Sequence, residues 1–292
     1  MREDLRKLFA AHSASPEALR GRFEMFYTDK LSICHMLQRP ENEMPAFRHA
    51  HKEYEFLLPR TPIPFLLNDD AVYFGEVGYV FPVQSGRSHG VKHSLFNVSH
   101  CDIAINREYM DELMTYKGVA GVQFNYEFRV SNDLETCIDA FKREFQRGAQ
   151  ADRRKLRLLG ELICLELITL GTDPGEDTRK EKHRYQKGIQ SAAEYLNENY
   201  HRDVQLAALA GMYGFSKNYF IKVFKDSLGE SPYSYLCKLR VSRAKLLLET
   251  TDEPVAQIAE KCGFARPNSF STQFKVSTGV TPKSYREQFG RL

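Results

Sequence analysis

At 292 residues the chain is about twice the usual domain length, which excludes a single small module and leaves room for one or two sizeable cores. Its composition, 42% apolar and 27% charged, is ordinary for a soluble globular protein, and no stretch approaches the roughly 20 apolar residues needed to span a bilayer. The net charge of +3 is uneven: residues 184–292 hold 16 Lys+Arg against 10 Asp+Glu, leaving the remainder slightly acidic, as expected when one end meets a polyanion.

Residues 1–8 alternate charge with leucine and lack the apolar core and small-residue cleavage site of a signal peptide, so the expected location is the cytoplasm. Residues 1–30 read as helical and then extended. Over 31–106 the pattern becomes short apolar runs bounded by turn formers: LSICHML, YEFLLP, IPFLL, AVYFG, GYVFP and CDIAIN. Strands this short and close predict a small antiparallel barrel or sandwich. The six cysteines are scattered with no Cys-x-x-Cys pair, which excludes a zinc ribbon or disulfide framework and predicts free buried thiols.

Within the strand region lie His49-x-His51-x3-Glu55 and Gly78-x3-Pro82-x3-Gly86-x2-His89. Three imidazoles and a carboxylate can hold a divalent transition metal, or hydrogen-bond a polar small molecule inside the sheets. His35, His93 and His100 read as ordinary strand or loop residues. Segments 134–147 and 153–170 read as helices, the second with Leu156, Leu159, Ile163, Leu167 and Leu170 at three- and four-residue spacing. That stripe is expected to contact a second chain, with packing inside its own domain as the alternative. Residues 172–187 have linker composition. The division expected is 1–171, a linker at 172–187, and a second domain at 188–292.

The second domain contains a repeat. Leu206-x-x-Leu209-Ala210-x3-Gly214-Phe215-Ser216 is matched by Val255-x-x-Ile258-Ala259-x3-Gly263-Phe264-Ala265. In a helix-turn-helix the apolar pair buries the first helix, the small alanine lets the next helix cross closely, and the glycine supplies positive φ at the turn. A second helix follows each turn, with Tyr219, Phe220 and Phe224 on the core face of one and Phe270 and Phe274 on that of the other. The copies close alike, at Gly229-Glu230-Ser231-Pro232-Tyr233-Ser234-Tyr235 and Gly279-Val280-Thr281-Pro282-Lys283-Ser284-Tyr285. Between Ser216 and Phe220 the offset grows from 49 to 50 residues, placing one inserted residue at the start of the second recognition helix, with Pro267 suited to the first turn. A long helix over 235–249 is predicted to set the separation of the two units, and readers about one DNA turn apart would enter successive major grooves. A solenoid needs at least three stacked copies, so two joined by an unlike helix favour DNA binding over a repeat scaffold.

From about Lys187 to Phe289, and above all in RVSRAKLLL, VAQIAEKCGF and GVTPKSYR, the chain resembles the AraC/XylS family of transcription regulators. The resemblance implies a seven-helix DNA-binding domain, promoter DNA and RNA polymerase as partners, a homodimer, and no membrane association. By position, Lys217, Asn218, Tyr219, Ile221 and Lys222 in the first recognition helix and Arg266, Asn268, Ser269, Ser271 and Thr272 in the second are the expected DNA contacts. Asn218 suits adenine, and Lys222 suits guanine or a phosphate. Family members often carry arginine where this chain has Lys222 and Thr272, so the first unit is expected to supply more of the specificity. Arg240 and Arg243 are expected to hold the connecting helix or a phosphate.

The His49, His51, Glu55 and His89 pattern resembles a cupin. That resemblance implies an α+β protein overall: a cupin-like barrel with dimerisation helices, then an all-α domain with two helix-turn-helix units joined by a long helix. The barrel is expected to bind a small-molecule effector at these four residues, with no catalytic residue and no resident cofactor. Open alternatives are a divalent metal held by the same four side chains, making the barrel an enzyme fused to a DNA-binding domain, and a regulator that needs no effector.

Overall fold

The structure, a computed structural model, describes residues 23–37, 43–44, 46–96, 98–124, 127–172 and 180–290. The expectations for residues 1–22 lie outside them. The chain forms two compact units, Met1–Thr178 and Arg179–Leu292.

The N-terminal unit is antiparallel sheet backed by helices. Its strands are β1 (Phe23–Tyr27), β2 (Leu31–Met36), β3 (Glu43–Met44), β4 (Phe47–His49), β5 (Tyr54–Pro59), β6 (Ile63–Asn68), β7 (Ala71–Gly75), β8 (Tyr79–Val83), β9 (His89–Val91), β10 (Leu95–Phe96), β11 (His100–Ile105) and β12 (Phe128–Arg129). All six apolar runs read as strands are strands. They form a large sheet in the order β1-β2-β11-β5-β8-β12, a second sheet β4-β9-β6-β7, and the pair β10-β3. Among the described residues these ladders do not join into one closed ring.

Because side chains alternate across a strand, the large sheet has two different faces. Ile33, Phe56, Leu58, Val80, Ile103 and Ile105 are buried in one core with the helices α1 (Arg107–Tyr116), α2 (Asn132–Gln146) and α3 (Arg153–Thr172). The intervening residues Ser32, Cys34, Glu55, Leu57, Phe81, Val83, Asp102 and Ala104 line an interior cavity instead.

The α3 stripe corrects one expectation. Leu156, Ile163 and Leu167 are buried against Leu134, Ile138 and Phe141 of α2, and Leu159 and Leu170 pack partly against the same cluster. The stripe therefore belongs to its own unit's core and is not free for a second chain. Leu158 and Leu162, one turn apart on the other side of α3, remain about half exposed, at 54% and 48%.

The corner between α2 and α3 is closed by Glu144, whose buried carboxylate accepts from the Asp152 backbone N–H at 2.8 Å, the Lys155 ammonium at 2.9 Å and Arg147. These donors, the Asp152 N–H foremost, hold its pKa down at about 2. Arg60, just beyond β5, makes a two-pronged ion pair with Glu135 of α2, tying the sheet to the helical layer.

The C-terminal unit contains, among the described residues, seven helices: α4 (Lys180–Asn199), α5 (Leu206–Met212), α6 (Lys217–Leu228), α7 (Pro232–Thr250), α8 (Val255–Lys261), α9 (Pro267–Thr278) and α10 (Pro282–Phe289). The segment 172–187, of linker composition, is helical from Lys180 onward. Ile189, Ala192, Ala193 and Leu196 bury one side of α4. No described helix is long and apolar enough to cross a membrane.

Candidate nucleic-acid interface and interior cavity

The two helix-turn-helix units are built alike down to single hydrogen bonds. In the first, Leu209 and Ala210 of α5 are buried, Gly214 turns at φ +76°, and the Phe215 N–H donates to the Ala210 carbonyl at 3.0 Å. In the second, Ile258 and Ala259 of α8 are buried, Gly263 turns at φ +82°, and the Phe264 N–H donates to the Ala259 carbonyl at 3.0 Å. The reader helices α6 and α9 are each 12 residues long. They end on left-handed Gly229 and Gly279, whose N–H groups donate to the Lys225 and Lys275 carbonyls, both at 2.8 Å. Ser231 and Thr281 then cap α7 and α10, with Pro232 and Pro282 in the first turn and Tyr235 and Tyr285 buried behind them.

The inserted residue falls elsewhere than expected. Since α6 and α9 have equal length, the extra position lies in the turn, as Ala265-Arg266 between Phe264 and Pro267. Arg266 is the N-cap residue of α9, and Pro267 occupies its first turn. Both reader helices bury a Phe pair, Phe220 with Phe224 and Phe270 with Phe274. Tyr219, read as part of the core face, is instead 46% exposed. It shares the open side of α6 with Lys217, Asn218 and Lys222, while Ile221 is half-buried. On α9, Asn268, Ser269 and Thr272 are exposed with Arg266, and Ser271 is half-buried. Lys225 and Lys275 are also exposed, at equivalent places in the last turns. The repeat offset of 50 would have revealed this pair.

The connecting helix α7 is locked at its middle. Arg240 donates through Nε to the Tyr200 carbonyl and through Nη2 to the Arg202 carbonyl, both at 2.8 Å, and its guanidinium lies 5.7 Å from the Phe264 ring centroid. Arg243 lies over the Tyr200 ring at 5.6 Å. Asn197 of α4 donates to the Tyr235 hydroxyl at 2.8 Å. Arg240 is thus a fixture between the end of α4 and the second unit, and half-buried.

Inside the N-terminal unit, the large and second sheets enclose a cavity of about 50 Å3. That is room for roughly four waters at ~10–15 Å3 each, well below the ~300–1,000 Å3 of sites for drug-sized ligands. His49 of β4, Glu55 of β5 and His89 of β9 line it, and His51 stands beside them. One potential ligand atom from each of the four lies within 4.8 Å of the others. His51 Nε2 is 2.7 Å and His89 Nε2 3.1 Å from the same Glu55 oxygen, and His89 Nδ1 is 3.0 Å from the Arg87 carbonyl. Burial alone would raise the Glu55 carboxyl, but His89 and His51 outweigh it and hold it well below the usual carboxylate range.

His100, read as an ordinary strand residue, also lines this cavity. Its Nε2 is 2.9 Å from Asp102 on the same strand. Burial opposes its charged form, yet Asp102 raises its pKa above the ordinary value. The signal was the i, i+2 spacing of His100, Asp102 and Ala104, which puts all three on one face of β11.

The two turn glycines differ in one way. A Cβ on Gly214 would meet nothing within 4 Å, whereas on Gly263 it would lie 2.7 Å from the Tyr200 carbonyl oxygen. Gly214→Ala is therefore expected to cost the C-terminal unit about 1–2 kcal/mol from left-handed strain alone, and Gly263→Ala distinctly more. Urea denaturation of the two variants measures the gap, and equal losses would mean that the Tyr200 contact relaxes freely.

Residues 209–288 match the family model described as a helix-turn-helix domain. The chain is 33% identical over 102 residues to the HTH-type transcriptional activator RhaS of Pectobacterium carotovorum subsp. carotovorum (strain PC1), covering 35% of this chain and 37% of that protein. It is 36% identical over 98 residues to an uncharacterized HTH-type transcriptional regulator of Staphylococcus aureus (strain COL), covering 34% of this chain and 13% of that one. The chain thus spans 37% of the first of these relatives and 13% of the second. Among solved structures, the C-terminal domain of AraT, a response regulator from Geobacillus stearothermophilus, is 31% identical, covering 36% of this chain and 88% of that one, with a TM-score of 0.35. A transcriptional regulator from Chromobacterium violaceum, described by its AraC-type DNA-binding domain, is 28% identical, covering 36% and 95%, with a TM-score of 0.34. With its paired turns and reader helices, the C-terminal unit is an AraC-type helix-turn-helix DNA-binding domain.

Proposed function

We propose that the whole chain is a sequence-specific transcription regulator, an activator that binds promoter DNA through both helix-turn-helix motifs of its C-terminal unit and answers to a small molecule held in the N-terminal cavity. The observation that carries this reading is the duplication itself: two 12-residue helices, each burying a phenylalanine pair and leaving its opposite side polar and exposed. Asn218 and Arg266 head the base-reading set, with Lys217, Tyr219, Ile221, Lys222, Asn268, Ser269, Ser271 and Thr272 around them. Lys225 and Lys275 have the reach and charge for phosphates. As an activator it acts on RNA polymerase in the cytoplasm, and effector binding at His49, His51, Glu55 and His89 shifts the population competent for paired sites.

Fluorescence anisotropy on promoter fragments, found by genome-wide mapping of bound sites, tests the DNA contacts. Asn218→Ala and Arg266→Ala are each expected to cost ~1–3 kcal/mol at a single base position. Lys225→Ala should weaken all sequences alike and reduce the salt slope by about one. A uniform loss in the first two variants would make those residues phosphate contacts.

The homodimer of this reading uses the outer side of α3. Leu158 and Leu162 are apolar side chains that the unit's own core does not take up. In light scattering, Leu158→Lys/Leu162→Lys is expected to halve the particle mass while the protein still unfolds cooperatively, with an unfolding temperature that no longer rises with protein concentration. An unchanged mass would move the dimer contact elsewhere.

A second reading, a metal-dependent enzyme in the N-terminal unit, is favoured by the four ligand atoms within 4.8 Å of one another. A divalent ion bound there would act as a Lewis acid, with the other side of the cavity orienting whatever it polarises. Elemental analysis separates the readings. Near-stoichiometric Fe, Mn, Ni or Zn that His51→Ala removes supports a metal centre, whereas metal-free protein that still binds effector rules it out.

A further inference from the structure

The two reader units are joined by α7 along the chain, but α4 also touches the turn of each. Near its start, a Cβ on Gly188 would lie 3.1 Å from the Phe215 ring, and the Tyr213 hydroxyl donates to the Ser191 carbonyl at 3.1 Å. Tyr213 and Phe215 flank Gly214, the turn of the first unit. At the other end, a Cβ on Gly263, the turn of the second unit, would lie 2.7 Å from the Tyr200 carbonyl oxygen and 2.9 Å from that of His201. From Gly188 to Tyr200 the chain advances by roughly 18 Å, at ~1.5 Å per residue of helix. α4 is therefore a strut laid from one turn to the other, beside α7.

The far joint of this strut depends on Arg240. A helix ends in carbonyls that its own backbone leaves unpaired and in partial negative charge, and α4 carries no basic residue in its last turn. The cation comes from α7 instead. Arg240 bonds the Tyr200 and Arg202 carbonyls, both at 2.8 Å, and the same guanidinium lies 5.7 Å from the ring centroid of Phe264, which follows the second turn glycine. One planar fork thus gathers the end of α4, the middle of α7 and the turn of the second unit. Arg243 over the Tyr200 ring, at 5.6 Å, adds a further contact between α7 and that end.

We propose that Arg240 is a positioning residue for DNA recognition. By pinning α4 to α7 beside Gly263 and Phe264, it fixes the second reader in rotation relative to the first, and so restricts the protein to one spacing between its two half-sites. Inserting one base pair shifts the far half-site by about 3.4 Å and turns it by about 35° around the duplex, a change that a hinged pair of readers follows and a pinned pair does not. The inference rests on both readers engaging one duplex, as in the proposed function.

Two measurements on the full chain test it. In the first, without DNA, pulsed electron resonance reads the distance between spin labels on Lys225→Cys and Lys275→Cys, exposed at equivalent places on the two readers. The labelled chain is diluted with unlabelled chain and carries Cys137→Ser, the other cysteines being buried. One narrow distance distribution is expected, broadened in Arg240→Ala and less so in Arg240→Lys, which keeps the charge but lacks the fork. Should the alanine variant not fold, the lysine variant carries the comparison. A broad distribution in the wild type, or an unchanged width in the variants, overturns the pin.

In the second, anisotropy compares a mapped promoter fragment with the same fragment carrying one base pair inserted midway between the positions sensitive to Asn218→Ala and Arg266→Ala. The wild type is expected to lose roughly tenfold or more on insertion, and Arg240→Ala, already weaker on the parent fragment, under about threefold. An equal insertion penalty in wild type and variant makes Arg240 a phosphate contact or a source of general stability, and overturns its positioning role. A wild type indifferent to the insertion despite a narrow label distribution keeps the pin and counts instead against the reading in which both units engage one site.

Discussion

Each reader helix is held by a run of aromatic rings, and the rest of the C-terminal unit is arranged around that run. Phe215, Phe220, Phe224 and Tyr235 follow one another at centroid separations of 6.2, 5.5 and 5.7 Å. Phe264, Phe270, Phe274 and Tyr285 repeat the series at 5.1, 5.5 and 5.4 Å. All but the stacked Phe215–Phe220 pair are edge-on or tilted, contacts that add directional preference to ordinary burial. A short helix has marginal stability alone, so its polar side can be given over to DNA only if its other side is fixed this firmly. The tight turn before it and the proline-started helix after it both serve to bring a ring into the series.

Much of this was readable from the chain because the determining features are local. A glycine at a fixed distance from an alanine, a Ser-Pro or Thr-Pro after a second glycine, and a Phe pair four apart each specify a turn, a cap or a buried face with little help from elsewhere. The six strands were legible for the same reason. What the sequence did not disclose was decided by packing between distant segments. The α3 leucines have the spacing of any amphipathic stripe, and only the large sheet behind α2 and α3 determines that this stripe faces inward. Tyr219 follows the periodicity of the core only approximately, and Phe220 takes the buried place beside it. His100 looked unremarkable because nothing in its neighbourhood along the chain indicates that β2 and β5 flank it, and so that Cys34, Leu57 and Glu55 share its wall.

The N-terminal unit separates two tasks onto the two faces of one sheet. One face is consumed by apolar packing against helices, and that anchorage allows the opposite face to carry His100, Asp102 and Glu55 without collapsing onto them. Burying carboxylates and imidazoles is expensive, and the expense falls on a region already stabilised from behind by Ile33, Phe56, Ile103 and their partners. The Arg60–Glu135 pair joins the end of β5 to α2.

The single extra residue between Phe264 and Pro267 has a consequence beyond geometry. Because of it, the second reader starts from an arginine N-cap and a proline, where the first starts from Ser216 and Lys217. Two readers that differ in this way cannot be served equally by the halves of a perfect palindrome. One chain laid along a duplex thus has a head and a tail, and reversing the sequence beneath it is a different encounter. A promoter also has an upstream and a downstream side, and a protein whose two halves disagree can tell them apart.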